Sequence, residues 1–175
     1  MSDQRYLEEM KKAIEMEING QKFYLEMEGK TKNALAKKVF SSLAKDEQDH
    51  TNAIKKFSEN ILGNNDLPDM GTVITRDHKQ GDESVFGVSP RQLGQKAGLE
   101  DSDIGGYRIA MQMERDGYNF YKECRDRASD EKIKKLFQFL IEEESAHYQA
   151  LDESYEYLTH PDDWFAREER PIFEG

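Results

Sequence analysis

Glu17, Glu47 and His50 recur ninety-seven residues further on as Glu114, Glu144 and His147. Carboxylate and imidazole groups hold first-row metal ions through oxygen and nitrogen. Two of the glutamates stand three residues before a histidine, in Glu47-x-x-His50 and Glu144-x-x-His147, a spacing that puts both side chains on one helix face. One Glu-x-x-His alone is a weak signal, because solvated helix surfaces produce it too. Here only two of the four histidines have a glutamate at that spacing, and they are the two that the repeat relates. Burying four carboxylates is costly through desolvation and mutual repulsion. Two divalent cations would cancel their charge, so the doubled set points to a dinuclear metal site.

Elements that could position such a set follow from the same offset. Ala13, Met16, Gly20, Phe23 and Tyr24 return as Ala110, Met113, Gly117, Phe120 and Tyr121, and Lys37, Lys38, Phe40, Leu43 and Ala53 as Lys134, Lys135, Phe137, Leu140 and Ala150. The chain therefore reads as a duplicated helical hairpin. Four segments show helical spacing, the cleanest being Val39, Phe40, Leu43, Glu47, His50, Ile54 and Phe57. In each segment a glutamate interrupts the apolar stripe. Turns are expected at Gly29 to Asn33 and at Ala128 to Asp130, with Ser129 or Asp130 as N-cap. Both are short, so each helix pair is antiparallel. Glu17 and Glu47 lie about 15 residues, or about 22 Å, either side of the first turn and so reach one height. The second hairpin repeats this for Glu114 and Glu144.

The expected fold is all-α, a single domain over residues 1–175. A hairpin at about 3–58 and another at about 102–159 build a four-helix bundle. A long crossover at about 59–101, rich in Gly, Asn and Pro, joins them, and a tail spans 160–175. Ser89 and Pro90 are placed to start a short helix in the crossover, and Trp164, Phe165, Ile172 and Phe173 to pack the tail onto the bundle.

Composition narrows the function classes. The net charge is −11 and no Lys or Arg run exceeds two, which disfavours nucleic acid. No apolar run approaches the roughly 20 residues of a membrane span, and Met1 to Lys12 lack a signal-peptide core. A cytoplasmic protein without membrane contact is expected. One cysteine, Cys124, excludes multi-thiolate metal modules. It corresponds to Met27 in the other half, as expected of a small apolar filler. Oxygen and nitrogen donors suit iron first and manganese second.

A glutamate from each of two helices plus Glu-x-x-His from each of the other two is a recipe for a dinuclear carboxylate site. With Ala13-Ile14-Glu15-Met16-Glu17, Phe23-Tyr24 and the two Glu-x-x-His motifs, the chain resembles the ferritin-like di-iron superfamily in its rubrerythrin-like branch. The likeness spans all four helices and the tail from Trp164 to Gly175, but not the crossover. It implies a ferritin-like bundle with two iron ions held by Glu17, Glu47, His50, Glu114, Glu144 and His147, and no catalytic residue beyond these ligands. Rubrerythrins usually append a four-cysteine rubredoxin domain, absent here, so electrons would come from an external donor such as a rubredoxin-type protein. They also carry a further ligand glutamate three residues after the third-helix one, where this chain has Gly117. The implied set is accordingly symmetric, as in bacterioferritin: Glu17 and Glu114 terminal, Glu47 and Glu144 bridging, one histidine to each metal.

Around these residues the sequence leaves choices open. Tyr24 and Tyr121, seven residues beyond Glu17 and Glu114, fit core packing, a hydrogen bond to a ligand carboxylate, or the passing of an electron. Asp46 and Glu143 fit a solvated helix face or a role in orienting a histidine. Gly20 and Gly117 each cost about 1 kcal/mol relative to Ala within a helix, which space for oxygen species or close helix packing would explain. The expected activity is reduction of hydrogen peroxide. Oxidation and storage of iron with dioxygen or peroxide, a non-catalytic iron-binding role, and dismutation at a dimanganese site are the alternatives. A homodimer is in keeping with the resemblance.

Overall fold

In a computed structural model, which describes residues 2–74 and 100–163, the periodic segments are four long helices. They are α1 (Ser2–Lys30) and α2 (Ala34–Leu62), then, after the four-residue α3 (Met70–Val73), α4 (Asp101–Arg127) and α5 (Glu131–Thr159). No strand occurs among the described residues. The fold is an all-α four-helix bundle in which α1 packs mainly on α2, and α4 on α5. Helix α2 continues past the expected end at residue 58 because Ile61 still packs against the core. Ser89, Pro90, Trp164, Phe165, Ile172 and Phe173 lie outside the described residues, as does His78.

Local chemistry fixes the turns. Asn33 caps α2, its side-chain oxygen accepting from the Ala36 N–H at 3.0 Å. Asp130, rather than Ser129, caps α5 by accepting from the N–H groups of Lys132 at 2.8 Å and Ile133 at 3.1 Å. The Tyr6 hydroxyl accepts from the Ser129 and Asp130 N–H groups, which ties the second turn to the start of α1.

Contacts between hairpins set the topology. Arg5 at the start of α1 donates to the Arg127 carbonyl at the end of α4, and Tyr24 late in α1 reaches Glu114 midway along α4, so these two helices run antiparallel. His50 meets Glu143 while Asp46 meets His147, so α2 and α5 are antiparallel as well. Helices α2 and α4 therefore point the same way. The end of α2 and the start of α4 lie at opposite ends of a bundle roughly 43 Å long, and a long connection is a geometric necessity.

The apolar core is split in two. One cluster contains Met10, Ile54, Phe57, Tyr121, Cys124, Ile133, Leu136, Phe137 and Leu140. The other contains Tyr24, Leu35, Val39, Phe40, Leu43, Tyr107, Met111 and Leu151. The six glutamates and histidines of the repeat form a polar layer between them, as stripes interrupted at mid-helix require. No described helix is long and apolar enough to cross a membrane.

Candidate metal centre

All six residues singled out by the repeat converge in that layer, each between 1 and 5% exposed: Glu17 from α1, Glu47 and His50 from α2, Glu114 from α4, Glu144 and His147 from α5. Their donor atoms fall into two overlapping groups whose members all lie within 4.8 Å of one another. Glu17, Glu47, His50 and Glu144 form one, and Glu47, Glu114, Glu144 and His147 the other. Glu47 and Glu144 belong to both. The His50 Nδ1 lies 3.1 Å from Glu17 and 3.5 Å from Glu47, and the His147 Nδ1 3.4 Å from both Glu47 and Glu114. The imidazoles stack with centroids 5.3 Å apart.

Outside the layer, each half supports the other. Tyr24 of the first hairpin donates to Glu114 of the second, and Tyr121 of the second to Glu17 of the first. The two tyrosines thus hold the carboxylates that belong to one group only. Behind the histidines, the His50 Nε2 hydrogen-bonds Glu143 at 3.2 Å, and the His147 Nε2 faces Asp46 at 3.5 Å. Both ring Nδ1 atoms consequently point into the layer. Phe139 closes the outer side of His50 with its edge, 5.8 Å between centroids.

The two glycines flanking the layer face the paired glutamates, Gly20 toward Glu47 and Gly117 toward Glu144. A β-carbon on Gly117 would fall 2.4 Å from Glu144 Oε2 and 2.9 Å from its Cδ, whereas one on Gly20 would meet Glu47 Cδ at 3.4 Å, an ordinary contact. The halves therefore differ: a β-carbon on Gly117 of α4 would force the end of the Glu144 side chain to shift, while α1 leaves Glu47 room.

A cavity of about 200 Å³ opens between α1 and α4 against the faces of Glu47 and Glu144. Met16, Gly20, Met113 and Gly117 line it, with Asn19 and Asp116 at its exposed rim. The histidines line none of it. The layer thus has a closed imidazole side and an open carboxylate side. Met16 and Met113 belong to the repeat read from the sequence, whereas Asn19 and Asp116, at the same offset but of different type, did not stand out.

Electrostatics show what the layer lacks. Burial, reinforced by the charge of Glu47, pushes the Glu17 carboxyl up to about 8. Glu144 is raised well above the carboxylate range by burial and by the charges of Glu114, Glu17 and Glu47. Burial opposes ionisation of Glu47 too, but hydrogen bonds from Glu17, His147 and His50 outweigh it and lower Glu47. Burial would lower both histidines; the carboxylates around them win and raise both well above the ordinary value. Protons thus substitute for missing positive charge. Even so, the His147 ring nitrogens reach carboxylates only at 3.4 to 3.5 Å, and like Glu114 Oε2 they are buried without a well-formed hydrogen bond. Poorly satisfied oxygen and nitrogen atoms of this kind, arranged as two four-donor sets sharing two carboxylates, fit a pair of divalent ions once the protons leave.

Of the remaining candidates, Cys124 is buried in apolar surroundings that push its thiol up to about 11, in keeping with a packing role. His160 follows α5 and contacts the Thr159 hydroxyl, away from the layer.

With this geometry in view, comparison with known proteins is specific. The sequence model of the rubrerythrin family matches residues 8–155, which includes all six residues of the layer. The chain belongs to the rubrerythrin family, a group of di-iron ferritin-like proteins. Among solved structures it is similar to a hypothetical protein from Pyrococcus furiosus, with 25% identity, a TM-score of 0.63, and coverage of 87% of this chain and 89% of that one. No curated protein matches.

Two outcomes follow. Gly117→Ala should displace the Glu144 carboxylate and lower metal stoichiometry. Gly20→Ala should retain metal and gain up to about 1 kcal/mol of helix stability. Metal analysis and denaturant unfolding of both variants check this, and equal behaviour of the two would contradict the asymmetry. For the metal-free protein, Glu17 ionises near 8 when folded against an ordinary value of 4.5. Between those values the folded state holds more protons than the unfolded, so stability falls as pH rises. The raised histidines act in the same direction, and the lowered Glu47 contributes a loss only at pH below the ordinary carboxylate value. The melting temperature of chelated protein should fall from about pH 6 to about pH 8.5, and saturating metal should remove that slope. A midpoint independent of pH over this range would contradict the charge assignment.

Proposed function

We propose that this protein is a di-iron oxidoreductase whose Glu17, Glu47, His50, Glu114, Glu144 and His147 hold two iron ions, and that it reduces hydrogen peroxide with electrons from an external donor. The observation that carries the reading is the pair of donor groups sharing Glu47 and Glu144, open to a cavity only on the side away from the histidines. Glu47 and Glu144 would bridge, with Glu17 and His50 completing one site and Glu114 and His147 the other. When bound, the irons supply Lewis acidity and the two electrons that, with two protons, convert hydrogen peroxide to two waters.

The rest is the work of the chain. Glu143 and Asp46 hold the imidazoles with Nδ1 inward. Tyr24 and Tyr121 fix the terminal carboxylates by hydrogen bonds, and burial with the neighbouring carboxylate charge keeps both phenols protonated well past their ordinary range. Gly20 and Gly117 leave a gap on the carboxylate side through which a molecule as small as peroxide reaches the layer. The apolar clusters above and below exclude bulk water and strengthen every charge interaction in the layer.

Iron oxidation for detoxification or storage is the second reading, favoured by the near equivalence of the two donor groups. Anaerobic loading with Fe²⁺ should give about two irons per chain, oxidised faster by peroxide than by dioxygen and reduced again by a one-electron donor through repeated cycles. Glu47→Ala and Glu144→Ala should lose most of the metal, and Tyr24→Phe should keep it. Single oxidation without re-reduction would favour storage, and faster oxidation by dioxygen would overturn the peroxidase assignment.

A further inference from the structure

The two halves share the layer but differ in what leads away from it. In the first half, Tyr24, hydrogen-bonded to Glu114, stacks on Phe40 with centroids 6.2 Å apart. Phe40 lies 5.0 Å from Tyr107, and Tyr107 lies 5.8 Å from Tyr155. Tyr24, Phe40 and Tyr107 are fully buried, and Tyr155 near the end of α5 is partly exposed. In the second half, Tyr121 stacks on Phe137 at 6.2 Å in the same manner, and among the described residues no further tyrosine follows Phe137. The offset of ninety-seven residues puts Met10 where Tyr107 stands and Ser58 where Tyr155 stands, and these two meet through a hydroxyl-to-sulfur contact of 3.3 Å.

We infer that the row Tyr24, Phe40, Tyr107 and Tyr155 is a one-electron path between the buried carboxylate layer and the protein surface, with Tyr155 as its outer terminus. The inference rests on the reading of the layer as a di-iron site that reacts with peroxide. Tyrosine is among the most readily oxidised side chains, and rings in van der Waals contact couple well enough to pass single electrons. Phe40 acts only as a bridge, since its ring is too hard to oxidise. When peroxide arrives at a layer that holds one ferrous and one ferric iron and the external donor is missing, Tyr155 gives up one electron inward through the row. Its phenolic proton leaves to solvent, and a Tyr155 phenoxyl radical remains. That electron, the one from the ferrous iron and two protons from solvent turn one hydrogen peroxide into two waters. Tyr107 is held within the path by a 3.2 Å hydrogen bond that its hydroxyl oxygen accepts from Ser154 Oγ. The Ser154 hydroxyl also lies 3.1 Å from the Leu151 carbonyl, so its one proton is shared between the two oxygens.

A purely structural role for these rings makes a different forecast, because Tyr→Phe at either position removes only a hydroxyl from a packed ring. The test adds peroxide to iron-loaded protein that has been half oxidised beforehand, without donor, in the presence of a nitroso spin trap. Electron paramagnetic resonance then reads the radical, and peptide mass spectrometry locates the adduct. The wild type should carry it at Tyr155. Tyr155→Phe and Tyr107→Phe should each lose the Tyr155 adduct while iron content and melting temperature stay as in wild type. A Tyr155 adduct undiminished in Tyr107→Phe, or an adduct located elsewhere in the wild type, would overturn the path. Failure of the peroxide reading shows itself separately, as a ferrous site that peroxide does not oxidise. The path is then read by flash oxidation with tris(bipyridine)ruthenium(III), for which oxidation of the ferrous site should slow in Tyr107→Phe, and an unchanged rate would refute it.

Discussion

Four glutamates shut inside a helical bundle repel one another and have lost their water, and the architecture follows from how that repulsion is met. Left to itself, the layer takes up protons: Glu17 and Glu144 are pushed up, both imidazoles are raised, and only Glu47 is held low by the donors around it. Those protons still leave Glu114 Oε2 and the His147 ring nitrogens without well-formed hydrogen bonds. Two cations satisfy both demands at once, replacing the protons as positive charge and engaging the buried oxygen and nitrogen atoms. The apolar clusters on either side keep the dielectric low, which makes the uncompensated state costly and the metal-bound state favourable.

The same layer ties the hairpins together. Each hairpin supplies two glutamates and one histidine, but the groups that orient them come across the interface: Tyr24 to Glu114, Tyr121 to Glu17, Glu143 to His50 and Asp46 to His147. Neither half is complete alone. Coupling between duplicated units is thereby built into the chemistry of the site, and the antiparallel packing of α1 on α4 and α2 on α5 brings the crossing partners into register.

Much of this was legible in the amino-acid order because the repeat offset is a one-dimensional property. Equal spacing of Glu17, Glu47 and His50 against Glu114, Glu144 and His147 fixes hairpins, turn positions and a common height before any coordinate is known. What crosses between helices was not legible. Spacing along a helix shows that Tyr24 shares a face with Glu17, yet its hydroxyl bonds Glu114, because the partner depends on how α1 lies against α4. The repeat also makes halves look equivalent where they are not. Gly20 and Gly117 occupy matching positions, but only at Gly117 would a β-carbon force the facing glutamate to move. The aromatic row beyond Phe40 escaped notice for the same reason: Tyr107 and Tyr155 sit far apart in the chain, and their counterparts Met10 and Ser58 carry no motif.

Anomalous diffraction at the iron edge from crystals of the Fe²⁺-loaded protein tests the central claim most directly. The account requires two peaks between the apolar clusters, one at the His50 Nδ1 and one at the His147 Nδ1, with Glu47 and Glu144 touching both. A single peak, peaks outside the layer, or an undisturbed layer that takes up no metal at all would contradict it.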